Sequence, residues 1–517
     1  MCNKSYYIIA RLFCKWHGGK ISALTQHFSE YWWLKDESFS SILILQRGDA
    51  PNEQRREINT MTNEKMMKEA PMWKLLLSMS VPVVLVTLMM VVYNMADIFF
   101  MGMTGATMQV AAIKLAGPAF SIIQAFNTLL GMGGCTAIAM ALGRGDRELA
   151  KKYSSFSVWA GAGIGVVLMA AVMLFTNPLV RLMGADAATA GYTATYMRIL
   201  ALGAPFMVTG GALGNVVRAD GSTAKAALGS IVGTITNIAL DPLFILVFKW
   251  GVAGAAIATV LGNVVTLVYC VIIMRGSENF SLSIKNFTLK KDVSLKVIGY
   301  GVPMAAGTLL MSFSSIFSNN LMMKHGPIAV AAQGVAGMSS MLIAMVIMGV
   351  CMGIQPAISY AHGAGDRKRV RQIVRGTGIA SVLLGTVLAL VFFLCRDGFV
   401  AGMLNDPEVI ELGKRMIIGH LVTMPIYGVY QMSSTYLQAT GKVSYATLVS
   451  LLRQGIVFIP IIYTMNALFG LNGLIFAGAV ADVIATVVGV VLSIVWARKL
   501  AAEPKMVESV GTAETAA

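Results

Sequence analysis

The strongest constraint on the fold is a series of unbroken apolar stretches, each about 20 residues or longer. A helix of that length spans the hydrocarbon core of a bilayer. Inside lipid the backbone must satisfy its own hydrogen bonds, and continuous rather than alternating apolar runs favour helices. Because 56% of the 517 residues are hydrophobic and only 13% are charged, a water-soluble core could not hide this surface. The sequence predicts an all-α membrane protein.

Apolar runs separated by polar loops predict twelve transmembrane helices. The second and eighth are long enough to extend beyond the bilayer. The predicted spans are 75–100, 110–142, 153–176, 191–216, 226–248, 252–274, 295–322, 328–360, 373–395, 410–437, 445–467 and 471–497.

Basic residues are concentrated in alternate loops, which predicts the orientation. One set of loops holds most of them, including those at 144–152 and 367–375, whereas the other set holds few, such as Arg181 and Lys249. By the positive-inside rule both termini lie in the cytoplasm. The net charge of +15 therefore indicates orientation in a cell membrane rather than nucleic-acid binding.

The two halves of the chain repeat. ALGRGDR at 141–147 recurs as AHGAGDR at 361–367, 220 residues later. Each copy contains six predicted spans, an even number, so both copies enter the membrane in the same direction. The sequence predicts two six-helix lobes, 61–280 and 281–500, related by a pseudo-twofold axis along the membrane normal.

The two ends of the chain differ from the rest. Residues 1–60 carry charges throughout and lack a run of span length, which predicts a poorly ordered or non-native extension. The segment 501–517 is expected to be a disordered tail. The six cysteines are dispersed without a CxxC pair, so neither a disulfide framework nor a zinc site is indicated.

The repeated Gly-x-Gly-Asp motif resembles one of the two catalytic motifs of intramembrane aspartyl proteases. Such an enzyme needs a second aspartate, typically in a Tyr-Asp pair, and this chain has no Tyr-Asp pair. We therefore interpret the motif as a loop, in which Gly143 and Gly145 end one helix and Asp146 caps the next. The protein is therefore not expected to be an enzyme. The chain also lacks an ATP-binding P-loop, so we expect an ion gradient as the energy source.

Ionisable residues inside predicted spans are the candidate functional groups, because each is costly at bilayer depth. Asp97 lies near the end of the first span, and Asn237 and Asp241 are four residues apart on one face of the fifth. Pro242 and Pro82 each remove a backbone donor and free a carbonyl. Such oxygens suit Na⁺ or a proton; the alternative is that the carboxylates cap helices or accept structural hydrogen bonds.

Four further ionisable residues lie in other predicted spans. For Arg453 and Asp482, a structural ion pair and a transport role both remain open. A lone His420 is more often a packing residue. Arg198 either neutralises a carboxylate or extends to the membrane interface.

From about residue 65 to 500 the chain resembles the multidrug and toxic compound extrusion (MATE) family, in its prokaryotic branch with an acidic first-lobe cation site. The resemblance rests on several segments taken in order. They are VPVVLVTLMMVVYNMADIFFMG, the two GxGDR loops, RADGST, TNIALDP and GVAGAAIATVLG.

The resemblance implies a set of site residues. The first-lobe positions that match the family pattern are Asp97, Pro82, Tyr196, Asn237, Asp241 and Thr259. If the coupling ion is Na⁺, its expected ligands are Asp97, Asn237, Asp241 and Thr259. The expected second-lobe positions are Arg453, Gln454 and Asp482.

The resemblance also implies a function. The protein would export organic cations and amphiphilic drugs in exchange for Na⁺ or H⁺ by alternating access, as a monomer without other cofactors. The alternative is a flippase for lipid-linked saccharides, which would need several basic residues in its cleft to hold a pyrophosphate. Only Arg198 and Arg453 are clearly intramembrane, which favours the antiporter.

Overall fold

The computed structural model describes residues 63–275, 277–401 and 406–502, and these are almost entirely helical. No strand occurs among them, which confirms the predicted all-α fold. The predicted extension over 1–60 and the tail from residue 503 lie outside the described residues.

The helices of the first half precede the segment 277–290. They are α1 (Met72–Met103), α2 (Thr107–Leu115), α3 (Gly117–Gly143), α4 (Arg147–Leu182), α5 (Ala190–Val217), α6 (Thr223–Pro242) and α7 (Val252–Arg275).

The second half follows the same order until its last spans. Its helices are α8 (Lys291–Met323), α9 (Pro327–Gly363), α10 (Arg367–Leu394), α11 (Arg396–Ala401), α12 (Pro407–Leu421), α13 (Met424–Ala439), α14 (Val443–Leu451) and α15 (Phe458–Ala502).

Ten continuous helical segments of the described residues are long and apolar enough to cross a membrane. Twelve spans were predicted, and the difference arises in the second half. The tenth span is divided between the short helices α12 and α13. The last two spans run together into one segment, interrupted at Gly470, where φ is 56°. Gly473 lies against the carbonyl of Met465, which a straight helix would place about 12 Å away, so the chain turns sharply there.

The repeated loops have the structure that the motif predicts, with one difference. The Asp146 carboxylate accepts a hydrogen bond from the Leu149 N–H at 2.9 Å, and Asp366 caps α10 in the same way. Gly145 adopts the left-handed backbone, with φ at 80°. Gly143 does not; it ends α3 with its backbone against the carbonyl of Tyr360, so its small size serves helix packing.

Glycines bring the two halves into backbone contact at pairs of repeat-related positions. Gly133 in α3 lies against the carbonyl of Val297 in α8, and a methyl group on it would overlap that oxygen. Gly353 in α9, 220 residues after Gly133, likewise lies against the carbonyl of Met79 in α1. The contact is thus made twice, as a pseudo-twofold axis between the halves requires.

The same duplication occurs at the ends of α3 and α9. Gly143 contacts Tyr360, and Gly363 contacts Met140, again with an offset of 220 residues. All these glycines lie within about 17 Å, along the helix axis, of the loops at 144–146 and 364–366. We call that end of the molecule the basic-loop side; there the two halves are packed directly together.

Candidate functional site

Four helices of the first half bring the predicted first-lobe residues together, away from the basic-loop side. Asp97 comes from the end of α1, Asn237 and Asp241 from α6, Thr259 from α7 and Tyr196 from α5. All five side chains are buried, with at most 5% of their surface exposed. Folding therefore places two carboxyls, an amide, a hydroxyl and a phenol inside the span region.

The close approach of α6 and α7 positions Asn237 beside Thr259. Gly233 in α6 lies against the carbonyl of Gly262 in α7, and Gly262 lies against the carbonyl of Gly233 and the Cβ of Asn237. Small residues let transmembrane helices approach this closely. Since Thr259 lies one turn before Gly262, the two glycines draw Asn237 and Thr259 toward one another.

Pro242 alters the helix directly after Asp241. A proline has no N–H to donate to the carbonyl four residues earlier, and here α6 continues as a π-helix over Leu243–Val247. The Phe248 N–H donates to the Leu243 carbonyl, five residues back, at 2.9 Å. The helix opening expected at Pro242 therefore takes the form of a wider turn, a feature frequent at functional sites.

The polar atoms of this cluster are poorly satisfied by the described residues. Both carboxylate oxygens of Asp241, both polar atoms of the Asn237 amide and one oxygen of Asp97 have no hydrogen-bond partner among them. The carboxyls of Asp97 and Asp241 are close enough to repel each other when both are ionised. A buried polar group without a partner costs about 1–3 kcal/mol, so this arrangement favours the arrival of a cation or proton.

The donor set suits a hard monovalent cation or a proton better than a transition metal. No group of three or more His, Cys, Asp or Glu side chains that could hold a metal ion occurs in the described part of the chain. Carboxylate, amide and hydroxyl oxygens are the ligands of hard cations. Asp97, Asn237, Asp241 and Thr259 would hold such an ion.

Tyr93 belongs to the same cluster, although the sequence reasoning missed it. Its phenol lies 3.3 Å from the Thr259 hydroxyl and, like Tyr196, interacts with both Asp97 and Asp241. A signal was present, because Tyr93 and Asp97 are four residues apart and therefore share a helix face.

Two residues considered for the first lobe lie elsewhere. Pro82 is about 22 Å along α1 from Asp97, in a helix that continues through it without interruption. It lies where α1 contacts α9, since the Ser80 hydroxyl donates to the Val350 carbonyl at 3.0 Å. Arg198 is exposed and makes no ion pair within the described residues, so it neutralises neither carboxylate.

The second-lobe residues form a separate, better-paired cluster. The Arg453 guanidinium donates to Asp482 at 2.6 Å and stacks over the rings of Tyr427 and Tyr430, at 4.6 and 5.1 Å. The Thr423 hydroxyl donates to the other Asp482 oxygen at 3.4 Å. The sequence left open a structural ion pair or a transport role for Arg453 and Asp482, and the structure shows the ion pair directly.

Gln454 and His420 flank this pair. Gln454 lies with Arg453 in a π-helical turn over Leu452–Ile456, and its backbone carbonyl accepts a hydrogen bond from the Ser314 hydroxyl. The ring nitrogens of His420 lie 3.3 Å from the Gln333 side-chain oxygen and 3.4 Å from the Ser340 hydroxyl. His420 is thus a satisfied packing residue with neutral polar partners.

One known protein family matches this chain in two separate segments. The MatE family model matches residues 82–243 and again 303–464, together more than half of the chain. This chain belongs to the MatE family. The two matches reproduce the internal repeat, and membership makes the protein a transporter of the membrane rather than an enzyme.

Curated relatives of this MatE protein match it over most of their length. The multidrug export protein MepA of Staphylococcus saprophyticus is 28% identical over 418 residues, covering 81% of this chain and 92% of MepA. MepA of Staphylococcus aureus is 28% identical over 416 residues, with coverage of 80% and 92%.

Solved structures of MATE transporters share the fold. An outward-facing conformation of a multidrug resistance MATE family transporter superposes with a TM-score of 0.79 at 22% identity, covering 82% of this chain and 96% of that one. A variant of the Vibrio cholerae MATE transporter VcmN gives 0.77 at 22% identity, with coverage of 85% and 98%. At this identity the likeness establishes the architecture alone.

Proposed function

We propose that this MatE transporter is an antiporter that exports organic cations and amphiphilic drugs in exchange for Na⁺ or H⁺. The observation that carries the proposal is the pair of buried carboxyls, Asp97 and Asp241, of whose four oxygens three lack hydrogen-bond partners among the described residues. Two like charges in a buried site favour uptake of one cation or one proton. The multidrug export function named for the two MepA relatives supports the substrate class.

The position of α1 offers a route from ion uptake to lobe movement. This helix carries Asp97 near one end and contacts α9 of the second half through Ser80 and Thr87, whose hydroxyls donate to backbone carbonyls of α9. A change in hydrogen bonding at Asp97 therefore acts on an element that belongs to the lobe interface. Exchange further requires that ion and drug each weaken the binding of the other, which is a reciprocal coupling.

The two basic residues predicted inside spans, Arg198 and Arg453, argue against the flippase. A pyrophosphate-binding cleft needs unpaired basic side chains, whereas Arg453 is already paired with Asp482 and Arg198 is exposed outside the first-lobe cluster. The side chains of the first-lobe cluster are acidic and neutral, which suits a cationic coupling ion and cationic substrates.

Replacing Asp241 with asparagine tests the coupling site. We expect Asp241→Asn to reduce ion-driven efflux to background, because the side chain loses its charge and its exchangeable proton. Efflux of a fluorescent organic cation from vesicles, with Na⁺ and pH gradients imposed separately, measures this loss. The thermal stability should not fall, since the substitution removes a repulsion between two buried carboxyls.

Asp292 supplies the matched control, because it is exposed at the start of α8. Asp292→Asn should leave efflux unchanged under both gradients. Undiminished efflux by Asp241→Asn under either gradient would contradict the proposed site.

A further inference from the structure

A groove of about 410 Å³ lies on the second half, and no residue of either polar cluster lines it. It runs between α10, α13 and α15, and its lining is almost wholly apolar. Lining residues include Val374, Gly378 and Leu383 on α10, Met432 and Tyr436 on α13, and Ser493 on α15. Because Leu383 is 56% exposed, the groove opens on the outer surface of the helix bundle.

The groove has the length of one leaflet of a bilayer. The lining residues of α10 extend from Val374 to Leu383, about 14 Å along the helix axis. Half of the hydrocarbon core of a bilayer is about 15 Å thick. Since α10 begins at Arg367 on the basic-loop side, the groove lies in the leaflet nearest that side.

Two arginines stand at the end of the groove nearest the basic loops. Arg371 and Arg375 are both exposed, one turn apart on α10 and within a turn of Val374. Neither forms an ion pair within the described residues, and Arg371 interacts with the phenol of Tyr436, a lining residue. The apolar groove thus ends at two cationic side chains at the membrane boundary.

The first half covers the corresponding surface with its own chain. There the Ser154 and Ser155 hydroxyls donate to carbonyls of Ser281 and Ser283, and the Trp159 N–H donates to the Leu282 carbonyl at 3.1 Å. The loop between the halves therefore lies on α4.

In the second half, the positions that correspond to Ser154, Ser155 and Trp159 are Val374, Arg375 and Ile379. Val374 and Ile379 line the groove, and no described segment lies over them as the loop lies on α4. A surface that the chain covers in one half is therefore open to the bilayer in the other.

We propose that this groove binds an anionic phospholipid of the leaflet on the basic-loop side. One acyl chain lies along α10 from Val374 to Leu383, and the phosphate lies at Arg371 and Arg375. The length of the groove and its position in one leaflet fit an acyl chain. The guanidinium groups of Arg371 and Arg375, which form no ion pair among the described residues, favour an anionic headgroup. The site is separate from the proposed coupling site and does not depend on the transported substrate.

Two variants of the full chain test the two parts of the site. At Gly378 a Cβ would meet only the Met432 side chain at 3.8 Å, so Gly378→Leu is tolerated and fills the groove. The double variant Arg371→Ala with Arg375→Ala removes the headgroup contacts. We expect the double variant to weaken lipid binding about 30-fold, since each basic group near an anionic surface contributes a factor of about five.

The measurement uses protein stripped of lipid in detergent and a phosphatidylglycerol probe with a photoreactive acyl chain. Labelled peptides are identified by mass spectrometry, and a phosphatidylcholine probe of the same chain length tests headgroup selectivity. We expect labelling on α10 and α13 with phosphatidylglycerol, at least several-fold less with phosphatidylcholine, and loss of labelling in both variants.

Gly163→Leu is the matched control, because Gly163 is exposed on α4 with no neighbouring atom near its Cβ position. It should label like the unmodified protein. Equal labelling by both probes, or labelling unchanged in Gly378→Leu, would overturn the proposal. So would labelling that occurs only after removal of residues 503–517, because the occupant would then be the chain's own tail.

Discussion

At the scale of single residues, the two halves use buried charge in opposite ways. Asp97 and Asp241 approach each other without a cationic partner among the described residues, whereas Asp482 is paired with Arg453, which is stacked on two tyrosines. An unpaired acidic pair can respond to an incoming cation. A paired one is already neutralised, so we expect it to stabilise the second half rather than to bind the coupling ion.

The ion pair can be tested by a double-mutant cycle. Arg453→Met and Asp482→Asn should each destabilise the protein by about 3 kcal/mol, because each leaves a largely buried charge without its partner. The double variant should lose clearly less than the sum of the two single losses. Thermal unfolding of all four proteins in the same detergent measures the coupling.

An exposed pair on α12 provides the comparison for that cycle. Arg415 and Glu411 lie 3.8 Å apart with side chains 71% and 65% exposed, and such surface pairs contribute at most about 1 kcal/mol. Arg415→Met should therefore change the stability little. Additive losses at Arg453 and Asp482 would show that the two side chains act independently.

At the scale of helices, glycine contacts determine where the site residues lie. Asn237 packs against α7, one turn from Thr259, because Gly233 and Gly262 let α6 and α7 touch at the backbone. The sequence shows these glycines, but their role depends on which helix faces which, and a span prediction does not contain that information. The spacing of Tyr93 from Asp97 places both on one face of α1, but only the structure shows that this face meets Thr259 of α7.

Gly262→Ala tests this contact. The added methyl group would overlap the Gly233 carbonyl and force α6 and α7 apart, at a cost of about 1–3 kcal/mol. We expect the concentration of coupling ion needed for half-maximal efflux to rise about tenfold, corresponding to about 1.4 kcal/mol. Vesicle efflux at graded Na⁺ concentrations or pH measures the shift.

The control for this helix contact is Gly214→Ala, because a Cβ at Gly214 in α5 meets nothing within 4 Å. Alanine is the better helix former, so this variant should be as stable as the parent and should keep its ion dependence. If Gly262→Ala behaves like Gly214→Ala, the α6–α7 contact does not position the site.

At the scale of the whole molecule, repeat-related glycines pack the two halves together on the basic-loop side. Gly133 and Gly353 each lie against the backbone of the opposite half, so the closed arrangement tolerates no side chain at either position. The proposed alternating access requires this contact to break when the basic-loop side opens. A substitution there should therefore shift the equilibrium away from the closed arrangement.

Gly353→Ala should open the basic-loop side. A methyl group there would overlap Met79 and Ser80, and a cost of about 1–3 kcal/mol shifts a two-state equilibrium by about 5- to 150-fold. Spin labels are attached at Glu148→Cys and Lys368→Cys, which are repeat-related positions exposed on the two halves. Pulsed electron paramagnetic resonance then measures the distance between the two labels. The labels are placed in a background without native cysteines.

The expected result is a larger population at the longer distance in Gly353→Ala than in the parent. Gly163→Ala, on an open face of α4, should leave the distance distribution unchanged. A distribution that does not respond to Gly353→Ala would show that these glycine contacts do not control closure.

The sequence by itself determined the membrane class, the helical fold and the repeat, because these follow from the length of apolar runs and from residues 141–147 recurring at 361–367. It also named Asp97 and Asp241, since a charge inside a span is costly, and Asn237, since it lies four residues from Asp241 on the same helix face. Only the tertiary structure decided that Tyr93 joins them, that Pro82 lies at the lobe interface and that Arg453 binds Asp482. Those facts depend on which helix faces meet, and glycine positions set that packing through contacts between residues far apart in the chain.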